Sequence, residues 1–360
     1  MPSEALLLDE LDNGQRAMLD DFVMASPHAA YQQTSVWAEI QKRQCGAHYR
    51  FFLYKEHGAL CATAVIREVR MSPFHWMAKI VRGPIVHDIA RLGTVVAALK
   101  ETLAGAGCCA IQLAPRVRGR DVAMAAETIR IEAGVPLPLS QQSLHVSTGI
   151  VWLDKPEADI LAGFKQRARR QLRKAEASGQ IVRLADPDSD SDVAIYQQLL
   201  DSFYAAKPLY ASRDLPDAVA QAGLVKRLGG ALLIAETDGV PTGGHCFIRQ
   251  TDEAIWLSMP TVDPGAPVPR AYGLLWEAMR TARAMGCVGF DLAGLPLEIA
   301  LDENASGRLQ FKRSFNPHRR IMVPVNSIVL KPAAHGLLFN ARRAAVSVRN
   351  QLIRTRQQWA

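Results

Sequence analysis

Three observations predict a mixed α/β fold in which one unit is used twice. A series of strand, turn, strand, helix and strand runs through residues 49–114 and recurs through 231–293. Gly58 and Gly107 of the first pass correspond to Gly239 and Gly286 of the second, at offsets of 181 and 179 residues. The length of 360 residues suits two domains of about 100–200 residues each. The hydrophobic share of 49% supplies a sizeable core without a membrane-like composition.

The elements follow in order from local pattern. Apolar spacing over residues 15–25 predicts a helix. Residues 27–35 read as a loop, and Thr34 or Ser35 caps a second helix that opens with Val36, Trp37 and Ala38. Residues 49–54 and 60–67 form two strands joined by a turn at Glu56-His57-Gly58. Arg82-Gly83-Pro84 interrupts the chain before another strand-like piece, residues 90–105 are helical, and 107–114 return as a strand. In the second pass, residues 231–236 and 243–249 flank the turn Thr237-Asp238-Gly239. Ala271, Leu274, Leu275, Ala278, Met279, Ala282 and Met285 give residues 271–285 a helical apolar face before the strand 286–293. Residues 146–153 form a strand of their own. This places a first domain at 1–145, a second at 146–330, and a basic amphipathic segment at 331–360.

Charge is unevenly placed. No acidic residue follows Glu303, whereas eleven Lys or Arg do, so the tail carries +11 and the rest −4. Two readings fit: a polyanionic partner, or a tail neutralised by packing on the acidic remainder. Arg342, Arg343, Arg349, Arg354 and Arg356 lie beside Leu338, Phe339, Val346, Leu352 and Ile353. Such a helix either touches anionic lipid or closes the core of the first domain. A further helix, expected over 160–178, carries Lys165, Arg167, Arg169, Arg170, Arg173 and Lys174 around the stripe Leu161, Phe164, Ala168, Leu172 and Ala175. Six cations in ten residues repel one another unless an anion is present, which points to a phosphate-rich partner. No base-reading motif accompanies them, which argues against a sequence-specific DNA reader.

The remaining composition excludes several classes. No apolar run reaches the roughly 18 residues of a membrane helix. The acidic start MPSEALLLDELDNGQ has no signal pattern, so a cytoplasmic protein is expected, at most associated with the inner face of the membrane. Six cysteines without a CxxC pair fit a reducing compartment, and nine histidines without ligand spacing predict no metal.

Residues 289–315 concentrate the chemistry. A strand at Gly289-Phe290-Asp291-Leu292 ends at Ala293, Gly294 and Pro296, and an acidic segment leads to Leu309-Gln310-Phe311-Lys312-Arg313-Ser314-Phe315. Phe311 and Phe315 frame Lys312 as anchors would frame a fixed ammonium, able to stabilise charge on a reacting oxygen. The plainer reading is a surface lysine beside two core phenylalanines. Asp291 fits either a general base or a turn anchor.

Several segments together resemble the FemAB/FemX family, which transfers amino acids from aminoacyl-tRNA to peptidoglycan precursors. They are Gln33-Thr34-Ser35-Val36-Trp37, Arg82-Gly83-Pro84, FKQRARRQLRKAEASG at 164–179, Phe290-Asp291-Leu292-Ala293-Gly294 and Phe311-Lys312-Arg313-Ser314-Phe315. The resemblance implies two tandem acetyltransferase-like (GNAT) domains, without the long coiled-coil arm of larger members. It implies that Lys312 serves aminoacyl transfer and that Arg213, beside Tyr210, contacts the diphosphate of the precursor. The family's partner lysine, four residues after the tryptophan, falls here on Gln41, with Lys42 following; this departs from the family pattern, and Trp37 and Lys42 are the candidates for the first-domain contact. Phe311 and Phe315 are expected at the substrate, and the basic residues from Lys165 to Lys174 at tRNA phosphates.

The implied reaction is aminolysis of an ester by a monomer with no cofactor. Its partners are aminoacyl-tRNA and a nucleotide- or lipid-linked precursor, with peripheral membrane contact as an added expectation. Two alternatives remain. One is acyl transfer from acetyl-CoA or another acyl-CoA, weakened by two prolines in the loop 265–273, where free amides would be needed. The other is a non-catalytic polyanion or membrane-surface binder.

Overall fold

The computed structural model describes residues 3–207, 215–262, 270–296 and 307–336. In chain order the elements are β1 (Glu4–Leu8), α1 (Asn13–Ala25), α2 (Ser35–Cys45), β2 (His48–Glu56), β3 (Ala59–Arg70), β4 (Trp76–Arg82), β5 (Ile85–Val86), α3 (Leu92–Gly105), β6 (Cys108–Pro115), α4 (Asp121–Ile131) and β7 (Val135–Pro136). They continue with β8 (Ser147–Trp152), α5 (Glu157–Gly163), α6 (Gln166–Ala177), β9 (Ile181–Ala185), α7 (Asp190–Ala206), α8 (Ala218–Leu228), β10 (Gly230–Thr237) and β11 (Val240–Gln250). The last are β12 (Glu253–Ser258), α9 (Arg270–Ala284), β13 (Gly289–Gly294), α10 (Gly307–Ser314), β14 (His318–Ile321) and β15 (Asn326–Val329).

Two compact units result, each built on one sheet. The first sheet runs β1-β2-β3-β4-β6-β15-β7, with β5 paired to β3, and the second runs β14-β8-β13-β12-β11-β10-β9. The repeat is visible strand by strand. β2 and β3 form an antiparallel hairpin, as do β10 and β11, and β4–β6 and β12–β13 are the parallel pairs that follow. Both hairpins turn on two residues of positive φ, His57-Gly58 and Asp238-Gly239. That geometry matches the right-handed twist of the strands. Gly107 and Gly286, at φ 84° and 83°, close the helices before the last parallel strands.

Alternation of side chains builds the core of the second unit on both sheet faces. Ala231, Leu233 and Ala235 of β10 join Phe247, Phe290 and the buried faces of α6, α9 and α10. Leu232 and Ile234 turn the other way, with Cys246 and Ile248, onto α7 and α8. In the first unit Phe52, Ile66, Ile80 and Ile111 pack beneath Val95, Leu99 and Leu103 of α3.

Two differences from the sequence reading have physical causes. The first concerns the domain limits. One cut does fall between residues 144 and 145, yet Val23–Gly46 sorts with the second unit and 323–336 with the first. The apolar side of α2, Val36 and Ile40, is buried with Tyr196, Leu200 and Leu224, so it follows that core rather than its sequence neighbours. Strand β15 pairs with β6 of the first unit. The second concerns the basic helix expected over 160–178. It is two helices, α5 and α6, because Phe164 is extended (φ −70°, ψ 150°) and the Lys165 N–H donates to Ser314 O at 2.9 Å. The tail helix expected over 337–359 lies outside the described residues.

Candidate active site

The two parallel strand pairs differ in one respect. β4 and β6 are paired from Trp76–Cys108 to Arg82–Pro115. The ladder of β12 and β13 ends after Glu253–Gly289, Ala254–Phe290 and Ile255–Asp291, although each strand runs on for three more residues. The second sheet is therefore unzipped between Trp256–Ser258 and Leu292–Gly294. The departure of β13 is fixed locally. Its register against β8 shifts between Asp291 and Gly294, and Ala293 sits at φ 58°. Asp291 Oδ1 accepts from Ala293 N at 2.8 Å and from Thr148 Oγ1 of β8, which holds that left-handed residue in place.

Lys312 spans this opening. Its Nζ donates to Gly294 O of β13 at 3.0 Å and lies 5.0 Å from the centroid of the Trp256 ring of β12. The residue is only 7% exposed. Burial above all, and then the Arg308 guanidinium one turn earlier, push the ammonium down from 10.5 to about 8 against the pull of Asp291. Phe311 and Phe315 do anchor α10, as the framing suggested. Phe311 packs on Tyr272 at 4.8 Å and Phe315 on Phe164 at 5.1 Å, and the two rings lie 5.2 Å apart. At 9% and 1% exposure both rings belong to the core around Lys312.

Asp291 is 6% exposed, and the two donors on Oδ1 give it the work of a turn anchor. Nearby, Arg320 of β14 forms a two-pronged pair with the fully buried Glu253 of β12, at 2.6 and 2.8 Å. Nothing in the sequence marked this pair, because its members are 67 residues apart in unremarkable contexts. His245 of β11 was also missed. It is fully buried against Trp256 at 5.4 Å and Phe290 at 5.7 Å, neither ring nitrogen has a hydrogen-bond partner, and burial lowers it to about 3. The imidazole is therefore neutral at physiological pH.

The other expected residues are dispersed. Trp37 is half-buried, edge-on to Tyr31 at 5.0 Å, and Lys42 is exposed in the last turn of α2. Tyr210, Arg213 and the loop 265–269 lie outside the described residues. All six cations from Lys165 to Lys174 are exposed, while Ala168, Leu172 and Ala175 are buried. Arg167 donates to Gln310 of α10 at 3.0 Å, so the start of the basic helix abuts the helix that carries Lys312. Among the described residues no His, Cys, Asp or Glu cluster is placed to hold a metal, and no helix is long and apolar enough to cross a membrane.

Comparison with known proteins adds the class. Residues 15–134 match the model of the FemAB family, and residues 162–313 match that of the acetyltransferase (GNAT) domain. A crystal structure of FemX superposes with a TM-score of 0.76 at 15% identity, over 93% of this chain and 99% of that one. The C-terminal domain of a putative lysylphosphatidylglycerol synthetase from Agrobacterium fabrum gives 0.58 at 19% identity, over 91% and 95%. A tandem GNAT protein from the clavulanic acid biosynthesis pathway gives 0.50 at 13%, over 91% and 99%. At these identities the likeness is one of fold. No curated protein sequence matches the chain.

The protein is an acyltransferase of tandem GNAT fold. Its family resemblance is to FemAB/FemX, carried by sequence in the first segment and by fold along the chain.

Proposed function

We propose that the protein transfers an aminoacyl group from aminoacyl-tRNA to an amine of a cell-wall precursor. The observation that carries this reading is Lys312, a buried ammonium held across the unzipped strands of the GNAT-type unit. A neutral amine attacks the ester carbonyl, a C–N bond forms, and negative charge builds on the carbonyl oxygen. The Lys312 ammonium, in a dry and preorganised setting, stabilises that oxygen. The C–O bond to the ribose then breaks, and the proton lost by the amine ends on the ribose hydroxyl. A group near 8 is well matched to pass that proton at neutral pH. Asp291 acts by shaping the end of β13 rather than as the base. The exposed cations of α6 supply the long-range attraction for RNA. No cofactor is needed in this scheme.

An acyl-CoA donor is the second reading, favoured by the match of residues 162–313 to an acetyltransferase domain. A competition decides between them. Labelled aminoacyl-tRNA and labelled acetyl-CoA are offered in turn with a bacterial precursor extract. Ribonuclease-sensitive transfer from tRNA, lost in Lys312→Ala, is the expected outcome; transfer from acetyl-CoA alone contradicts it.

A further inference from the structure

Beside Lys312 the surface dips into a concavity of about 370 Å³, lined by Lys165, Leu295, Arg313, Asn316, Pro317 and Arg319. This lies at the lower end of the roughly 300–1,000 Å³ range of small-molecule sites. Among the described residues, three of the six that line it are cations and none is acidic. Bringing like charges into one hollow is unfavourable unless an anion completes it. Parts of the wall are tied in place. The backbone of Lys165 is tied to Ser314 at 2.9 Å, and Arg319 Nη2 donates to Pro296 O at 3.3 Å. Asn316 Nδ2 donates to Gly163 O at 3.1 Å.

Two further observations narrow the ligand. Among the described residues, the exposed large apolar side chains of this unit, Ile181, Leu184, Val219, Val240 and Ile321, do not line the hollow, whose apolar wall is Leu295 and Pro317. The site therefore offers a phosphate little of the apolar rim that a lipid surface would use. Its position is also defined by the chemistry next door. Arg313 follows Lys312 and Leu295 follows Gly294, so the wall of the hollow is one residue step, about 3.8 Å of chain, from each half of the Lys312–Gly294 hydrogen bond. The hollow thus borders the same ends of β13 and α10 that the Lys312–Gly294 hydrogen bond joins, so a phosphate bound here would neighbour that bond. In an aminoacyl nucleotide only a ribose separates the ester from the nearest phosphate. In an acyl-CoA a long pantetheine arm intervenes, and in a nucleotide-linked precursor a sugar and a peptide.

We infer that Lys165, Arg313 and Arg319, with Asn316, form the site for the phosphate on the terminal nucleotide of the donor. The inference rests on the aminoacyl-nucleotide reading above, and it would make the hollow the place where donor class is chosen. Guanidinium forks suit phosphate oxygens in pairs, which a lone ammonium does not.

The test uses two minimal donors, 3′-aminoacyl-adenosine and the same molecule with a 5′-phosphate, and the full-length protein. Binding of adenosine and of its 5′-phosphate is measured in parallel, without transfer. The wild type is expected to favour the phosphorylated donor at least tenfold in kcat/KM, and its 5′-phosphate tenfold in Kd. Lys165→Gln, at an exposed position, and Arg313→Gln, at a half-buried one, are expected to bring these ratios towards one and to flatten their salt dependence. Transfer from both donors with no phosphate preference overturns the site and leaves the functional reading intact. Phosphate-dependent binding without transfer from either donor keeps the anion site but removes its assignment to a donor, and with it that reading. Equal loss of both ratios in Arg169→Gln, which lies outside the hollow, would show a diffuse basic field instead and also overturn the site.

Discussion

In the proposed reaction Lys312 carries both a cost and an activity. Its folded value of about 8 lies below the usual 10.5, so between those values the unfolded chain binds more protons than the native one. Stability from this group therefore rises as pH climbs from about 8 towards 10.5, and below 8 the buried charge is a burden. Lys312→Met removes the charge at similar length. At pH 7 the variant is expected to melt higher than wild type, by on the order of 1 kcal/mol, with the gap closing above about pH 10. Transfer should fall by about 100-fold or more, as for loss of a single oxyanion donor. Thermal melts at pH 7 and 10 with parallel assays check both halves. An ordinary snorkelling lysine would leave stability nearly unchanged. In the sequence, Phe311 and Phe315 marked Lys312 as held, and the structure gives the reason in ring contacts at 4.8 and 5.1 Å. What holds its charged end, Gly294 O and Trp256, was not legible, since neither partner lies within a helical turn of it.

At the scale of elements, the site is a difference between two copies of one pattern. β4–β6 stays zipped and β12–β13 does not, and the end of β13 depends on Asp291, Ala293 and Gly294. A Cβ on Gly294 would lie 2.3 Å from His145 Nδ1, so Gly294→Ala must move either the ring or the strand end. Since the Gly294 carbonyl holds Lys312, kcat is expected to drop about tenfold through misplacement alone, with KM little changed. Steady-state kinetics of this variant against wild type give the check, and an unaltered kcat would show that the carbonyl does not position the ammonium. Hairpins and long helices were readable because glycine turns and apolar spacing are local. The break at Phe164-Lys165 was not, because it answers to Ser314, distant in the chain.

For the whole molecule, duplication was the most readable property and the assignment of segments to units the least. Paired glycines at matching positions expose a repeat without any knowledge of packing. Whether α2 joins one core or the other depends on which surface receives Val36 and Ile40, and no local signal encodes that. In the proposed reaction the three scales meet in one feature, a charged Lys312 that the fold clamps and that promotes acyl transfer. The most direct measurement is the titration of the Lys312 side chain by heteronuclear NMR alongside the pH dependence of kcat. A midpoint near 8 is expected for both, with transfer declining as the ammonium loses its proton. A midpoint near 10.5, or a rate indifferent to the charge on Lys312, would contradict it.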